Sequence, residues 1–176
     1  LPGSREQEVV KMLRLMLSVR PYFPDYQFVI AGAPSLPKEF YQSYVDENVH
    51  FVSNKTYDLL RCSKAALVTS GTATLETALL NIPEVVCYRS SKISYEIGKR
   101  LIGKNIKYIS LVNLIMDREV VTELIQDELN TSNLVKELQL VLDSNRAKIL
   151  SDYEDLRIKL GNSGASDNAA EIIVNQ

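Results

Sequence analysis

Residues 65–76 read AALVTSGTATLE. Ala65 to Thr69 is a short apolar run, Ser70 and Gly71 break it, and Thr72 opens a segment of helix formers. That is a buried strand turning sharply into a helix. The rest of the chain repeats the alternation. Apolar residues from Val9 to Leu17 recur at helical spacing, which predicts a helix over 6–20 stopped by Pro21 and Pro24. Strands are expected at 26–31, 49–52, 85–88 and 108–111, and helices at 37–46, 57–63, 72–80 and 93–102. Leu1 to Arg5 reads as the end of a strand turning into the first helix. Further helices are expected at 119–125, 133–142, 147–160 and 168–174. About six strands alternating with helices imply an α/β fold: one doubly wound, parallel-sheet, Rossmann-like domain spanning 1–176, with a helical C-terminal part from about 131 to 174.

In such a sheet, ligands lie outside the carboxyl ends of the strands. TSGTATLE occupies that position. The first amides of a helix have no internal partner and carry the positive end of the dipole, which suits a phosphate or diphosphate. Gly71 admits a ligand to the backbone, and Ser70, Thr72 and Thr74 add hydroxyls. Glu76 lies about one turn in, roughly 6 Å along the axis, so it is placed for sugar hydroxyls. The same residues also read as an ordinary cap, with Ser70 or Thr72 at the N-cap and Glu76 favouring the dipole. Pro2-Gly3-Ser4-Arg5 repeats the turn, and Arg5 offers bidentate pairing to a diphosphate; a solvated arginine beside a plain turn is the alternative. GxGxxG and GxxxxGK[ST] are absent, which disfavours a standard NAD domain and a P-loop NTPase.

Composition sets the outer bounds. The 176 residues are 45% hydrophobic and 24% charged, with net charge −2. That suits a single domain with a full core and gives no general attraction to nucleic acid. Residues 92–107 concentrate Lys92, Lys99, Arg100, Lys104 and Lys107 against the single acid Glu96, so this segment is a candidate membrane-surface contact as well as an ordinary solvated helix face. Cys62 and Cys87 read as core residues and His50 as structural. No metal-ligand spacing is present, and no metal or cofactor is expected. No residue presents itself as a catalytic base. The start at LPGSR, without methionine, reads as part of a longer chain.

Five segments then occur in one order: LPGSR at 1–5, VTSGTATLETAL at 68–79, PEVVCY at 83–88, KYISLVNLI at 107–115 and ELIQ at 123–126. In this order they closely resemble the C-terminal half of lipid-A-disaccharide synthases, and AAEIIV at 169–174 resembles the family's closing segment. The resemblance implies the donor-binding half of a GT-B glycosyltransferase. The family transfers 2,3-diacylglucosamine from UDP-2,3-diacylglucosamine to 2,3-diacylglucosamine 1-phosphate, forming the lipid A disaccharide. It implies Gly3, Ser4, Arg5, Ser70, Gly71 and Thr72 at the diphosphate, Glu76 at the ribose, and Asn113 and Gln126 as further nucleotide contacts. It also implies that the base and much of the acceptor site belong to the other half, so that this part alone transfers no sugar. The implied setting is cytoplasmic and peripheral to the inner membrane of a Gram-negative bacterium, with a homodimer as one possible assembly. Val112 stands where the family usually has proline, and Glu84 where it has an uncharged residue. Other GT-B enzymes, such as a UDP-GlcNAc 2-epimerase or an N-acetylglucosaminyltransferase, share the Ser-Gly turn and nearby acid. A non-catalytic nucleotide-binding module is a third reading.

Overall fold

A computed structural model describes residues 1–89, 107–161 and 173. Five strands alternate with helices: β1 Phe28–Gly32, β2 Val49–Ser53, β3 Ala66–Thr69, β4 Glu84–Tyr88 and β5 Thr122–Ile125. The main helices are α1 Glu6–Leu17, α2 Lys38–Tyr41, α3 Thr56–Cys62, α4 Thr72–Leu79, α5 Leu111–Met116, α6 Thr131–Leu142 and α7 Arg146–Leu160. Every ladder is parallel, as the α/β reading requires. The strands form two sheets, β1-β2 and β3-β4-β5, where a single sheet was expected.

Helix α1 ties the sheets together. Its Val9 and Leu13 pack with Ile30, Tyr41 and Val49 over the first sheet. Met12 and Met16, on the adjoining face, pack with β4 and with Leu134, Leu138 and Tyr153 of α6 and α7. Both rows follow from helical spacing, in which residues three and four apart share a face. Strand β4 is buried along nearly its whole length, so it reads as an unbroken apolar run apart from Glu84.

Three expectations need correction. Residues 119–125 contain no helix; Thr122–Ile125 is β5, pairing with β4 from Val85↔Thr122 to Tyr88↔Ile125. Residues 108–111 form no strand; they lead into α5, whose N-cap is Ser110. Cys62 is exposed at the end of α3, and only Cys87 is buried. The helices expected at 93–102 and 168–174 lie outside the described residues, as does nearly all of the basic segment 92–107. Among the described residues no helix is long and apolar enough to cross a membrane.

Candidate functional site at the strand ends

The first residue of the chain places the two turns. The Leu1 nitrogen donates to the Leu67 carbonyl, and the Leu1 carbonyl accepts from Thr69 N–H, each at 2.9 Å. Leu1 is therefore paired alongside β3 in parallel. Pro2-Gly3-Ser4-Arg5 and Ser70-Gly71-Thr72 follow from neighbouring positions and leave the sheet side by side.

At the second turn, Gly71 is the N-cap of α4, and among the described residues no side chain accepts from the first amides of that helix. The ordinary-cap alternative thus finds no support in Ser70 or Thr72. Gly71 has φ +154°, and among the described residues a Cβ built there meets nothing within 4 Å. The backbone at this point is open to a ligand. The hydroxyls divide the work differently from expectation. Thr74 is buried and donates to the Gly71 carbonyl at 2.8 Å. Ser70 donates to the Ile109 carbonyl at 3.0 Å. Both hydroxyl protons are committed to backbone, leaving Thr72 exposed as the available donor. The Thr69 hydroxyl, next in line, is buried without a partner. Glu76 is half-buried, and its carboxylate makes no hydrogen bond or ion pair among the described residues.

At the first turn, Glu8 reaches back from α1. Its Oε2 accepts from Ser4 and Arg5 N–H at 3.4 Å, and its Oε1 pairs with the Arg5 guanidinium at 3.3 Å. Gly3 has φ +110°, and a Cβ there would lie 2.8 Å from Glu8 Oε2; the turn tolerates only glycine. The Arg5 side chain is 83% exposed, so its pairing with Glu8 is a weak surface contact. The Glu8 carboxylate thus takes up the donors that this turn presents.

Asn113, expected at the nucleotide, is engaged in a structural network. It is fully buried. Its amide donates to the Val121 carbonyl and Glu123 Oε1, and its Oδ1 accepts from Val120 and Val121 N–H, at 2.7 to 3.0 Å. All four of its hydrogen-bonding positions are used. Glu123 is the hub of this network; it also accepts from Ile109 N–H and from both the N–H and hydroxyl of Ser110. The hub thus fixes the loop whose Ile109 carbonyl meets Ser70. Val112, where a proline was expected, is fully buried in α5 and packs in the larger core.

Gln126 follows β5 with φ +53°. It lies two strands from β3, roughly 10 Å along the rim. Arg89, which the sequence did not single out, lies between them. It follows β4 and donates to the Gln126 and Leu129 carbonyls at 3.2 and 3.0 Å. Its position past a strand end is legible in sequence; its partners 37 and 40 residues on are not.

Beneath the site, Glu84 is fully buried and neither carboxylate oxygen has a partner. Burial holds its carboxyl well above the usual carboxylate range. Burial likewise pushes the Cys87 thiol up to about 12.

This arrangement can be set beside known proteins. The family model for lipid-A-disaccharide synthetase matches residues 1–175. The chain belongs to this family. Among curated relatives, the lipid-A-disaccharide synthase of Syntrophus aciditrophicus is 36% identical over 97% of this chain, which corresponds to 46% of the relative. Those of Geobacter metallireducens and Gloeothece citriformis are 32% and 34% identical over 98% and 99% of the chain. The chain spans about half the length of these lipid-A-disaccharide synthases.

Proposed function

We propose that this chain is the donor-binding half of a glycosyltransferase, holding UDP-2,3-diacylglucosamine for transfer to 2,3-diacylglucosamine 1-phosphate. One observation carries the reading: the pairing of Leu1 with β3 sets Gly3, Ser4 and Arg5 beside Ser70, Gly71 and Thr72, next to the uncapped amides of α4. Two phosphate-type turns side by side suit a diphosphate better than either does alone. The names of the relatives supply the lipid A disaccharide as product; the sugar nucleotide and acceptor are those that the family resemblance implies.

On this reading, Arg5 exchanges Glu8 for the diphosphate and, with the α4 amides, stabilises the charge that develops on the UDP leaving group. Glu76 accepts from the ribose hydroxyls. Gln126 lies further along the rim as a weaker nucleotide contact. Attack by the acceptor's 6-hydroxyl on the far face inverts the anomeric centre, and the base comes from outside this chain. No metal is needed for these steps. The enzyme then works at the cytoplasmic face of the inner membrane, where its acylated substrates reside.

A calorimetric titration of the chain with UDP, with ADP and NAD as controls, tests the proposal. Saturable binding of UDP in preference to both controls is expected. Binding of none of the three, or sugar transfer by this chain alone, overturns it.

A further inference from the structure

Two glutamates in this chain each accept from a pair of successive amides. Glu123 receives Ile109 and Ser110 N–H, each at 2.9 Å, and the Ser110 hydroxyl at 2.7 Å. The fully buried Asn113 closes that network. Glu8 receives Ser4 and Arg5 N–H at 3.4 Å and the Arg5 guanidinium at 3.3 Å. An ordinary N–H···O separation is about 2.9 Å, and a charged one is shorter still. Glu123 is therefore seated on its donors, whereas Glu8 stands back from its own. Arg5 and Glu8 both reach solvent, so their contact is weak.

The turn does not depend on Glu8 for its position. The Leu1 carbonyl, accepting from Thr69 N–H, holds its start. Ser35 Oγ donates to the Ser4 carbonyl at 2.7 Å and holds its far side. The Ser4 carbonyl and Arg5 N–H belong to one planar trans peptide unit and point opposite ways. Ser35 thereby fixes the direction in which Arg5 N–H faces. Gly3 supplies the room, since a Cβ there would lie 2.8 Å from Glu8 Oε2. An anchored backbone thus leaves space for an anionic oxygen before two amides and a guanidinium, and the Glu8 side chain is the part free to leave.

We infer that Glu8 is a displaceable stand-in for a phosphate oxygen, and that it sets the affinity of the first turn for anionic ligands. The inference rests on the proposed donor site and goes beyond it in giving Glu8 a role. A phosphate oxygen entering the turn takes the two amides and the guanidinium, and the carboxylate swings out to solvent. Affinity is lowered by the contact that is lost and by repulsion between the displaced carboxylate and the bound phosphate. Substrate and product nucleotides are weakened alike, and the carboxylate refills the donors as the product leaves. A Glu8 that only caps α1 has the opposite sign: its loss loosens the turn and weakens binding.

The test uses Glu8→Gln, which keeps the shape without the charge, and Glu8→Ala, judged by the same readout. Glu6→Gln removes an equal charge from the same turn of α1 and controls for the general field. UDP, inorganic pyrophosphate and uridine are titrated by calorimetry, and the Ser4 and Arg5 amide signals are followed by NMR. Both Glu8 variants should bind UDP and pyrophosphate about threefold more tightly or better. Uridine should be unchanged, and Glu6→Gln should give a smaller gain. Pyrophosphate should shift the Ser4 and Arg5 amides of the Glu8 variants at correspondingly lower concentration. Absent, unchanged or weaker pyrophosphate binding in the Glu8 variants, an equal gain in Glu6→Gln, or a Glu8→Gln chain that no longer folds overturns the inference; the last makes Glu8 a structural cap. If UDP fails to bind while the pyrophosphate gain at Ser4 and Arg5 holds, the nucleotide reading falls and this inference stands.

Discussion

The Leu1 carbonyl accepts a hydrogen bond from Thr69 N–H at 2.9 Å, joining residues 68 positions apart in sequence. This contact sets side by side two turns that are each ambiguous alone. If they hold a diphosphate together, Arg5→Ala should weaken UDP binding about tenfold or more, a range typical of one charged hydrogen-bonding partner. Uridine, which has no phosphate, should be unaffected. Calorimetry with both ligands checks this; equal losses would place Arg5 elsewhere.

Glu76 gives the complementary pattern. Glu76→Ala should weaken UDP and uridine by similar factors, because the proposed partner is the ribose. A loss confined to UDP would assign Glu76 to the helix dipole rather than to the sugar.

Gly71 lies where φ is +154° and a Cβ meets no described residue within 4 Å. Gly71→Val should cost about 1–3 kcal/mol from backbone strain, seen in urea unfolding. It should also reduce UDP affinity more than Thr72→Val does, because the new side chain covers the approach to the α4 amides.

Asn113 and Glu123 should behave as one unit. Asn113→Ala leaves Val120 and Val121 N–H without their buried acceptor, at about 1–3 kcal/mol. Glu123→Ala removes the anchor of the 109–110 loop at similar cost. The double variant should lose less than the sum of the two, since they share a hydrogen bond. Strict additivity in chemical unfolding would count against a shared network.

Glu84 gives a pH-dependent prediction. Burial raises its folded pKa well above the ordinary 4.5. The unfolded chain releases this proton first, so the folded state binds more protons above that pH. Stability is therefore full below about 4.5 and declines as pH rises, until the buried carboxyl itself ionises. Glu84→Met should remove the decline and raise stability at neutral pH by about 1–3 kcal/mol. Melting curves at pH 4 and 7.5 would show the difference. Nothing else in the structure explains an acid at this position.

Much of the fold is legible because periodicity and punctuation agree. The strand–turn–helix at 65–79 is found nearly as read. The failures share a cause. TELIQ is made largely of helix formers, but Leu124 is buried against β4 and Glu123 is engaged by the 109–113 segment, so tertiary pairing overrides propensity. Tyr108 to Leu111 alternates like a strand, yet Ser110 caps a helix and is held by Glu123. The burial of Asn113 was not legible either, because the partner that turns it inward lies 10 residues on. Arg89 was missed for the same reason.

Helix α4 is fixed at both ends. Its first amides meet the candidate site, while Arg157 of α7 donates to the Leu79 carbonyl and to Asn81 at the other end. A cation on the last carbonyls complements the dipole whose opposite pole faces the candidate site. Eight residues make α4 a strut of about 12 Å. Helix α7 thus acts as a buttress for the candidate site, and loosening Arg157 would slacken turns that it never touches.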